Sequence, residues 1–329
     1  MSNAVLLTEK DVRAVLPMPD LIDAMEAALA QFSRGAVNQP VRTVLEVGPD
    51  KAYFGVMPAA LDDPPAVGAK LVTVYAKNHA RNLPSHLATI LLLDHATGAL
   101  VAVVDGRYIT EARTAAVSAV SVKHLARPNA SVLGIIGSGV QARSHLEAVS
   151  HVRPLGEVRV WSPNALHREA FAFEMAEATG LRVLAVNTAA ASVRGADIVV
   201  LATSSTTPVI EDADIEPGTH IAGVGACRPD QREMPTPLIA RASLYVDSRA
   251  AARKEAGDFL IPLGEGAIGE GHIAGEIGEL VTGATPGRRS PQDVTIFKSL
   301  GLAVEDIVTA RLVVDRASSA GLGRSFTLQ

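Results

Sequence analysis

Between Val132 and Ala148 an apolar, β-branched run (Val132-Leu133-Gly134-Ile135-Ile136) enters Gly137-Ser138-Gly139 and continues through Val140-Gln141-Ala142 into a helix-forming stretch. This is the G-x-G-x-x-A form of a dinucleotide-binding loop. Glycine at 137 permits a tight turn, glycine at 139 lets the backbone approach a pyrophosphate, and Ala142 keeps helix and strand close. The unpaired N–H groups of the helix start attract phosphate oxygens. Glycine turns between strand and helix are common, so the reading rests on the legible strand and helix at its flanks.

The next strand bears on which nicotinamide cofactor would fit. Enzymes that use NAD commonly place an acid about 20 residues beyond the glycine loop, against the ribose 2′-hydroxyl. Here Val158-Arg159-Val160-Trp161 runs into Ser162-Pro163-Asn164, with His167 and Arg168 following and no carboxylate. Hydroxyl, amide and guanidinium groups welcome a 2′-phosphate that an acid would repel, which favours NADPH while leaving NADH possible. The plainer reading of Arg168 is a solvated residue on the outer face of its helix.

A second group of residues is cationic: Arg42, Lys70 and Arg113. Lys70 follows a Gly-Ala pair and opens an apolar strand, which places it where a sheet ends or meets a cleft. Arg113 lies among small residues, where an unpartnered charge is costly, so it is expected to meet a carboxylate or a phosphate. Each alone reads as a surface or structural ion-pair residue. Together they could form a cationic pocket for a substrate carboxylate. No His/Asp/Glu cluster has metal-ligand spacing, so no metal is expected.

The elements that must position these groups follow from periodicity and turn residues. Thr8 or Glu9 can start a first helix, and Leu21–Leu29 shows amphipathic spacing for a second. Strand-like runs at Val41–Val47, Ala52–Met57, Val67–Val74, Ala88–Asp94 and Leu100–Asp105, the last two joined by a turn at Asp94–Gly98, suggest a mostly antiparallel sheet carrying helices. An alanine-rich helix is expected over Ile109–Leu125. From Ser131 strand and helix alternate, the sign of a parallel sheet, with strands at Val132–Ile136, Glu157–Trp161, Ile198–Ala202, His220–Val224 and Leu244–Val246. Helices fit at Ala142–His151, Leu166–Thr179 and Leu238–Arg241. Leu260–Arg289 reads as loops with one helix, and Gly301–Gly321 holds a helix that returns to the first domain. The expected class is α/β: a Rossmann-type doubly wound parallel sheet plus an α+β domain.

Composition narrows the function classes. The length of 329 residues suits about two domains. A net charge of −5 argues against non-specific nucleic-acid binding. One cysteine, Cys227, excludes an intrachain disulfide and a cysteine-based zinc site. No apolar run approaches the about 18 residues of a membrane span, and no signal pattern opens the chain, so a cytoplasmic enzyme is expected.

Seven segments, in order, make the chain similar to the ornithine cyclodeaminase/mu-crystallin family over nearly its whole length. They are Leu83-Pro84-Ser85-His86, Ile109-Thr110 with Arg113-Thr114-Ala115-Ala116, Gly137 to Ala142, Ala202-Thr203-Ser204-Ser205, Val224 to Asp230, Tyr245-Val246-Asp247-Ser248, and Thr295 to Gly301 with Glu305-Asp306. The resemblance implies a homodimer. Residues 1–124 and 302–329 would form the substrate-binding and dimerisation domain, and residues 125–301 the Rossmann NAD(P) domain. By motif, Arg42, Lys70 and Arg113 would hold the substrate carboxylate, Lys70 and Arg113 being the catalytic pair. Ser85, Arg113, Val140, Gln141, Ser162, Thr203 and Ser299 would lie along the cofactor, and Leu300 beside the substrate. Gly137, Gly139, Asn164 and Arg168 complete the expected cofactor set, and Cys227 the substrate set.

The chain departs from the cyclodeaminases at Cys227. They carry an aspartate there that handles the amine and activates water. The strand Ile221–Val224 on one side and Pro229 on the other put Cys227, not Asp230, in that position. A thiol with an ordinary pKa near 8.5 accepts hydrogen bonds poorly and cannot do the same general-base work. Gly-Ala-x-Arg-Pro-Asp instead resembles the mu-crystallin branch, whose ketimine reductases act on cyclic imino acids. The expected substrate is therefore a small cyclic imino acid, Δ1-pyrroline-2-carboxylate or Δ1-piperideine-2-carboxylate, giving proline or pipecolate. The other readings are ornithine cyclodeamination, an alanine dehydrogenase-like reductive amination, and a non-catalytic NADPH-binding protein. A nucleophilic role for Cys227 is set aside, since hydride transfer needs no covalent intermediate; packing or a passive substrate wall fits better. His86 could donate a proton or be a satisfied structural histidine, and Lys298, Glu255 and Asp258 call for the same reserve. Arg113→Ala is expected to abolish turnover with the fold intact.

Overall fold

The computed structural model describes residues 3–50 and 52–327. The chain divides into two compact units: unit 1 runs to Arg113 and resumes at Leu302, and unit 2 is Thr114–Gly301. The first division falls inside a single helix, Arg107–Leu125, rather than at its end near residue 124.

Unit 1 begins with β1 (Ala4–Leu7), α1 (Glu9–Val15) and α2 (Met18–Ser33). Thr8 starts α1, as its residue type suggests: its hydroxyl accepts from the Asp11 N–H, and the Asp11 carboxylate accepts from the Thr8 N–H at 2.9 Å. Then come β2 (Val37–Asn38), β3 (Thr43–Val47), β4 (Ala52–Asp62), β5 (Pro65–Val74), β6 (His86–Leu93), β7 (Leu100–Asp105) and the first turns of α3 (Arg107–Leu125). The sheet order is closing strand (Arg324–Phe326), β1, β7, β6, β5, β4, β2, with β3 also on β4; only β1 and β7 pair in parallel.

Along β5 burial alternates, so Ala66, Gly68, Lys70 and Val72 share the covered face. The closing helix, Ala303–Ser319, packs there: a Cβ on Gly68 would lie 3.1 Å from Ile307 and 2.2 Å from the Leu91 carbonyl. Lys70 is thus mid-strand on the core face, not at the strand opening the sequence suggested. The strand starts at Pro65, ahead of the apolar run.

Unit 2 contains β8 (Val132–Ile136), α4 (Val140–Val152), β9 (Glu157–Trp161), α5 (Ala165–Thr179), β10 (Val183–Ala185), α6 (Ala189–Val193), β11 (Ile198–Leu201) and β12 (His220–Gly223). After these come α7 (Thr236–Arg241), β13 (Ser243–Val246), α8 (Arg249–Glu255), α9 (Gly257–Gly264), β14 (Ile273–Glu276), α10 (Ile277–Val281) and β15 (Thr295–Lys298). Its eight strands are all parallel, in the order β10-β9-β8-β11-β12-β15-β13-β14. From β8 the chain winds outward through β9 and β10, then restarts on the other side at β11. That reversal is the topological switch point where doubly wound sheets bind ligands. Apolar clusters cover both faces, and β11, β12 and β15 are buried throughout, as parallel strands under two helical layers must be. Two buried histidines tie α3 to its neighbours: His145 Nε2 on α4 lies 2.9 Å from Ser118 Oγ, and His220 Nε2 on β12 lies 3.0 Å from Ser121 Oγ. Leu260–Arg289 carries more order than its glycines suggested, with β14 and α10 joining α9.

Candidate active site

In unit 1 the cations converge on acids of the closing helix. Lys70 Nζ lies 2.6 Å from Asp306 Oδ2. Arg113 Nε donates to the other Asp306 oxygen at 3.0 Å, and its Nη1 donates to Glu305 at 2.7 Å. All four residues are buried. The carboxylate that Arg113 was expected to need is therefore Asp306, with Glu305 beside it. Arg42 is half-buried, and its charge acts on both Lys70 and Arg113.

The electrostatics follow from burial. Desolvation is the largest influence on Lys70; Arg113 and Arg42 add repulsion, Asp306 offsets only part, and the ammonium pKa falls to about 8. Burial alone would raise the Asp306 pKa, but Arg113 and Lys70 overcome it and hold that carboxylate below its ordinary value. His86, on the first residue of β6, is pushed down to about 4 by burial and by the charges of Lys70 and Arg113. It is a neutral imidazole at physiological pH, able to donate one hydrogen bond but holding no spare proton. Ser85 precedes it, its carbonyl accepting from the Tyr75 N–H at 2.8 Å. Ser85 and Arg113 belong to unit 1.

In unit 2 a cleft of about 520 Å³ opens at the switch point, lined by Gly137, Ser138, Ser162, Asn164, His167 and Thr203 among others. Gly137 has φ +116°, and a Cβ there would sit 2.5 Å from the Ala202 carbonyl, so no other residue fits the turn. Gly139 is the N-cap of α4 and makes no side-chain cap, which leaves N–H groups of the first turn open to a ligand. A Cβ at Gly139 would meet nothing within 4 Å. Arg143 braces the loop from behind, donating to the Ser138 carbonyl at 2.6 Å while Glu174 holds its other edge.

Ser138 and Ser162 share a 2.9 Å hydroxyl hydrogen bond, and the Asn164 side chain caps α5 at the His167 N–H, 3.2 Å away. Arg168 is not free on an outer face: it donates to the Ser162 carbonyl and to Asn187 Oδ1, both at 3.1 Å. Val140 is exposed at the start of α4. Gln141 Oε1 and Ser299 Oγ are buried without a hydrogen-bond partner among the described residues. A backbone cradle and an uncapped helix start fit a dinucleotide, whose pyrophosphate would take up the open N–H groups.

The Cys227 thiol donates to the Val224 carbonyl at 3.4 Å. Its position beyond β12 carries no carboxylate, and Asp230 pairs outward with Arg228. Leu300 is buried in the unit 2 core, its N–H donating to Asp247 Oδ2 at 2.5 Å, with the Gly301 N–H on the same oxygen at 2.7 Å. The residues that sequence reading missed are supporting acids, Asp247 and Glu233 in unit 2, and the partner role of Glu305 and Asp306 in unit 1; Asp258 was singled out without a role. Asp247, Glu305 and Asp306 stood in the matching segments, but only the fold shows which charges they meet. Among the described residues no group of three His, Cys, Asp or Glu side chains could hold a metal ion, and no helix is long and apolar enough to cross a membrane.

The model of the ornithine cyclodeaminase/mu-crystallin family matches residues 2–321. The rat ketimine reductase mu-crystallin is 44% identical over 302 residues, 91% of this chain and 92% of the rat protein. Among solved structures, the Δ1-pyrroline-2-carboxylate reductase of Thermococcus litoralis, in complex with NADH and L-proline, superposes with a TM-score of 0.95 at 38% identity, covering 97% of this chain and 99% of that one. An archaeal alanine dehydrogenase dimer with bound NAD also reaches 0.95, at 30% identity and full coverage of both chains.

Proposed function

The chain belongs to the ornithine cyclodeaminase/mu-crystallin family, and from that membership and its two sites we propose that it is an NAD(P)H-dependent reductase of cyclic ketimines. Δ1-Pyrroline-2-carboxylate and Δ1-piperideine-2-carboxylate are its substrates, L-proline and L-pipecolate its products. The observation that carries the reading is Cys227. Amine chemistry on ornithine requires a base at the end of β12, and a thiol bonded to a carbonyl stands there. An imine needs no such base: it can be protonated near neutral pH and asks only for hydride delivery and charge placement.

Arg42, Lys70 and Arg113 anchor the substrate carboxylate. Asp306 and Glu305 fix the two buried cations in position, so the anchor is preorganised before substrate arrives. Lys70, with its pKa near 8, also holds a proton at Nζ that it can exchange at physiological pH.

In unit 2 the Gly137–Gly139 loop and the start of α4, with Val140 and Gln141, hold the cofactor pyrophosphate; Thr203 and Ser299 lie along the rest of it. Ser162, Asn164 and Arg168 take the adenosine ribose, and the absence of an acid there favours NADPH, with NADH accepted. When bound, the reduced nicotinamide supplies the hydride.

The assembly is a homodimer. Exposed Leu45 and Val47 on β3, with Leu87 on the same side of the sheet, give unit 1 an apolar face suited to a second copy, and the archaeal relative is a dimer. A lone free cysteine suits the reducing cytoplasm as its setting.

The test is NADPH oxidation by the purified protein with Δ1-pyrroline-2-carboxylate, run beside L-ornithine plus NAD with ammonia detection. Rapid oxidation without ornithine turnover is expected. Ammonia and proline from ornithine would overturn the reading.

A further inference from the structure

Three neighbouring strands of unit 2, β11, β12 and β15, end side by side, and the segments after them carry Thr203, Gly225 and Ser299. Under these ends runs a chain of charges closed to solvent: Lys298, Asp258 and Glu233, each at most 1% exposed. Lys298 Nζ lies 3.2 Å from Asp258 Oδ2. Asp258 Oδ1 accepts the Glu233 and Met234 N–H groups at 2.8 and 3.1 Å. Glu233 spends both oxygens on the strand ends: one accepts the Thr203 N–H at 2.7 Å and the Thr203 hydroxyl at 2.8 Å, the other accepts the Gly225 N–H at 2.8 Å. The two loops meet so closely that a Cβ at Gly225 would stand 2.0 Å from the Thr203 carbonyl.

Burying two carboxylates and an ammonium is a poor way to gain stability, since an apolar core of the same volume does as well or better. A buried polar network is instead a means of fixing geometry. What this one fixes is the wall of the cleft at Thr203. With its hydrogen committed to Glu233 and a lone pair taken by the Ser205 N–H at 3.2 Å, the Thr203 hydroxyl cannot rotate.

We propose that Glu233 is a positioning residue for cofactor binding, holding the Thr203–Ser205 wall of the cleft to the end of β12 through three hydrogen bonds on one carboxylate. The proposal rests on the reading of unit 2 as the NAD(P) unit. Glu233→Gln keeps the volume but turns an NH2 group towards one of the three donors.

The experiment titrates the full-length protein with NADPH, followed by nicotinamide fluorescence, beside melting temperatures for each variant. Glu233→Gln and Thr203→Val should each raise the Kd by about tenfold or more, the scale of one lost charge-assisted hydrogen bond. Thr203→Ser, which keeps the donor, should stay within about twofold of wild type. Because both changes break the same bond, the double variant should bind little worse than either single one. A Kd unchanged in Glu233→Gln and Thr203→Val, even with lower melting temperatures, would leave Glu233 a structural residue only and overturn the proposal, as would losses that simply add. Should Glu233→Gln fail to fold, the Thr203 pair decides alone. If the wild-type protein binds neither NADPH nor NADH, it is the nucleotide reading itself that falls.

Discussion

Lys70 Nζ and Asp306 Oδ2 stand 2.6 Å apart with both side chains sealed from solvent, yet the lysine is held only loosely to its proton, with a pKa near 8. Burial strips the ammonium of its hydration and Arg113 repels it, and Asp306 offsets only part of that. The ammonium is present below pH 8 and is lost as pH rises through that value. The rate kcat/KM should accordingly fall above about pH 8 in the wild-type protein. Lys70→Met should reduce kcat/KM by about 10- to 100-fold, the scale of a lost charge-assisted contact, and remove that alkaline bend. A bend that persists in the variant would belong to the substrate instead.

Arg113 is a harder target than its sequence suggested. Its removal in Arg113→Ala leaves Asp306 and Glu305 buried with one cation between them, at a cost of about 3–5 kcal/mol. Beside the loss of turnover, a clear drop in melting temperature should therefore accompany the change. Arg113→Lys keeps the charge without the two-armed geometry. Thermal melts beside kinetics should show this second variant folded, with kcat/KM down about 10- to 100-fold.

Gly137 and Gly139 should separate fold from binding. Gly137→Ala forces a Cβ to 2.5 Å from the Ala202 carbonyl at φ +116°, and should cost about 1–3 kcal/mol of stability. Gly139→Ala adds a methyl in open space, so stability should hold within about 0.5 kcal/mol. That methyl would stand where a pyrophosphate has to approach. Calorimetric melts paired with NADPH titration should find the first variant destabilised and the second stable but weakened in cofactor binding by about tenfold.

Asn164 offers a clean reversal of cofactor choice. Aspartate caps a helix as well as asparagine does, so Asn164→Asp should preserve the cap on the His167 N–H. The added carboxylate should repel a 2′-phosphate and welcome a 2′-hydroxyl. The ratio of kcat/KM for NADPH over NADH should fall by about tenfold, the size of one unfavourable charge contact.

Much of this was legible in the sequence because local chemistry dictated it. Gly137 at a forbidden turn, the apolar strand before it and the Thr8 cap are short-range facts, and the parallel order of unit 2 follows from strand–helix alternation. Lys70 was seen but misplaced, since nothing near it in the chain announces that a helix beginning at Ala303 will cover its face of the sheet. Arg168 shows the same limit: its partners Ser162 and Asn187 come together only in the fold. The four-residue strands β14 and β15 were missed because so few residues, some polar, display no period. Glu233 gave no signal at all, because an acid becomes a brace only when three donors arrive from two other strands.

The 193-position separation of Arg113 and Asp306 also sets an order of assembly during translation. At about 5–20 residues per second, the acids that neutralise Lys70 and Arg113 leave the ribosome about 10–40 s after Arg113 does. Unit 2 lies wholly within that interval and can complete its sheet while unit 1 waits for its closing helix. Until then Lys70 on the nascent sheet and Arg113 on α3 are cations without their buried acids. The sheet stays open to chaperones and proteases alike until the helix Ala303–Ser319 has been made.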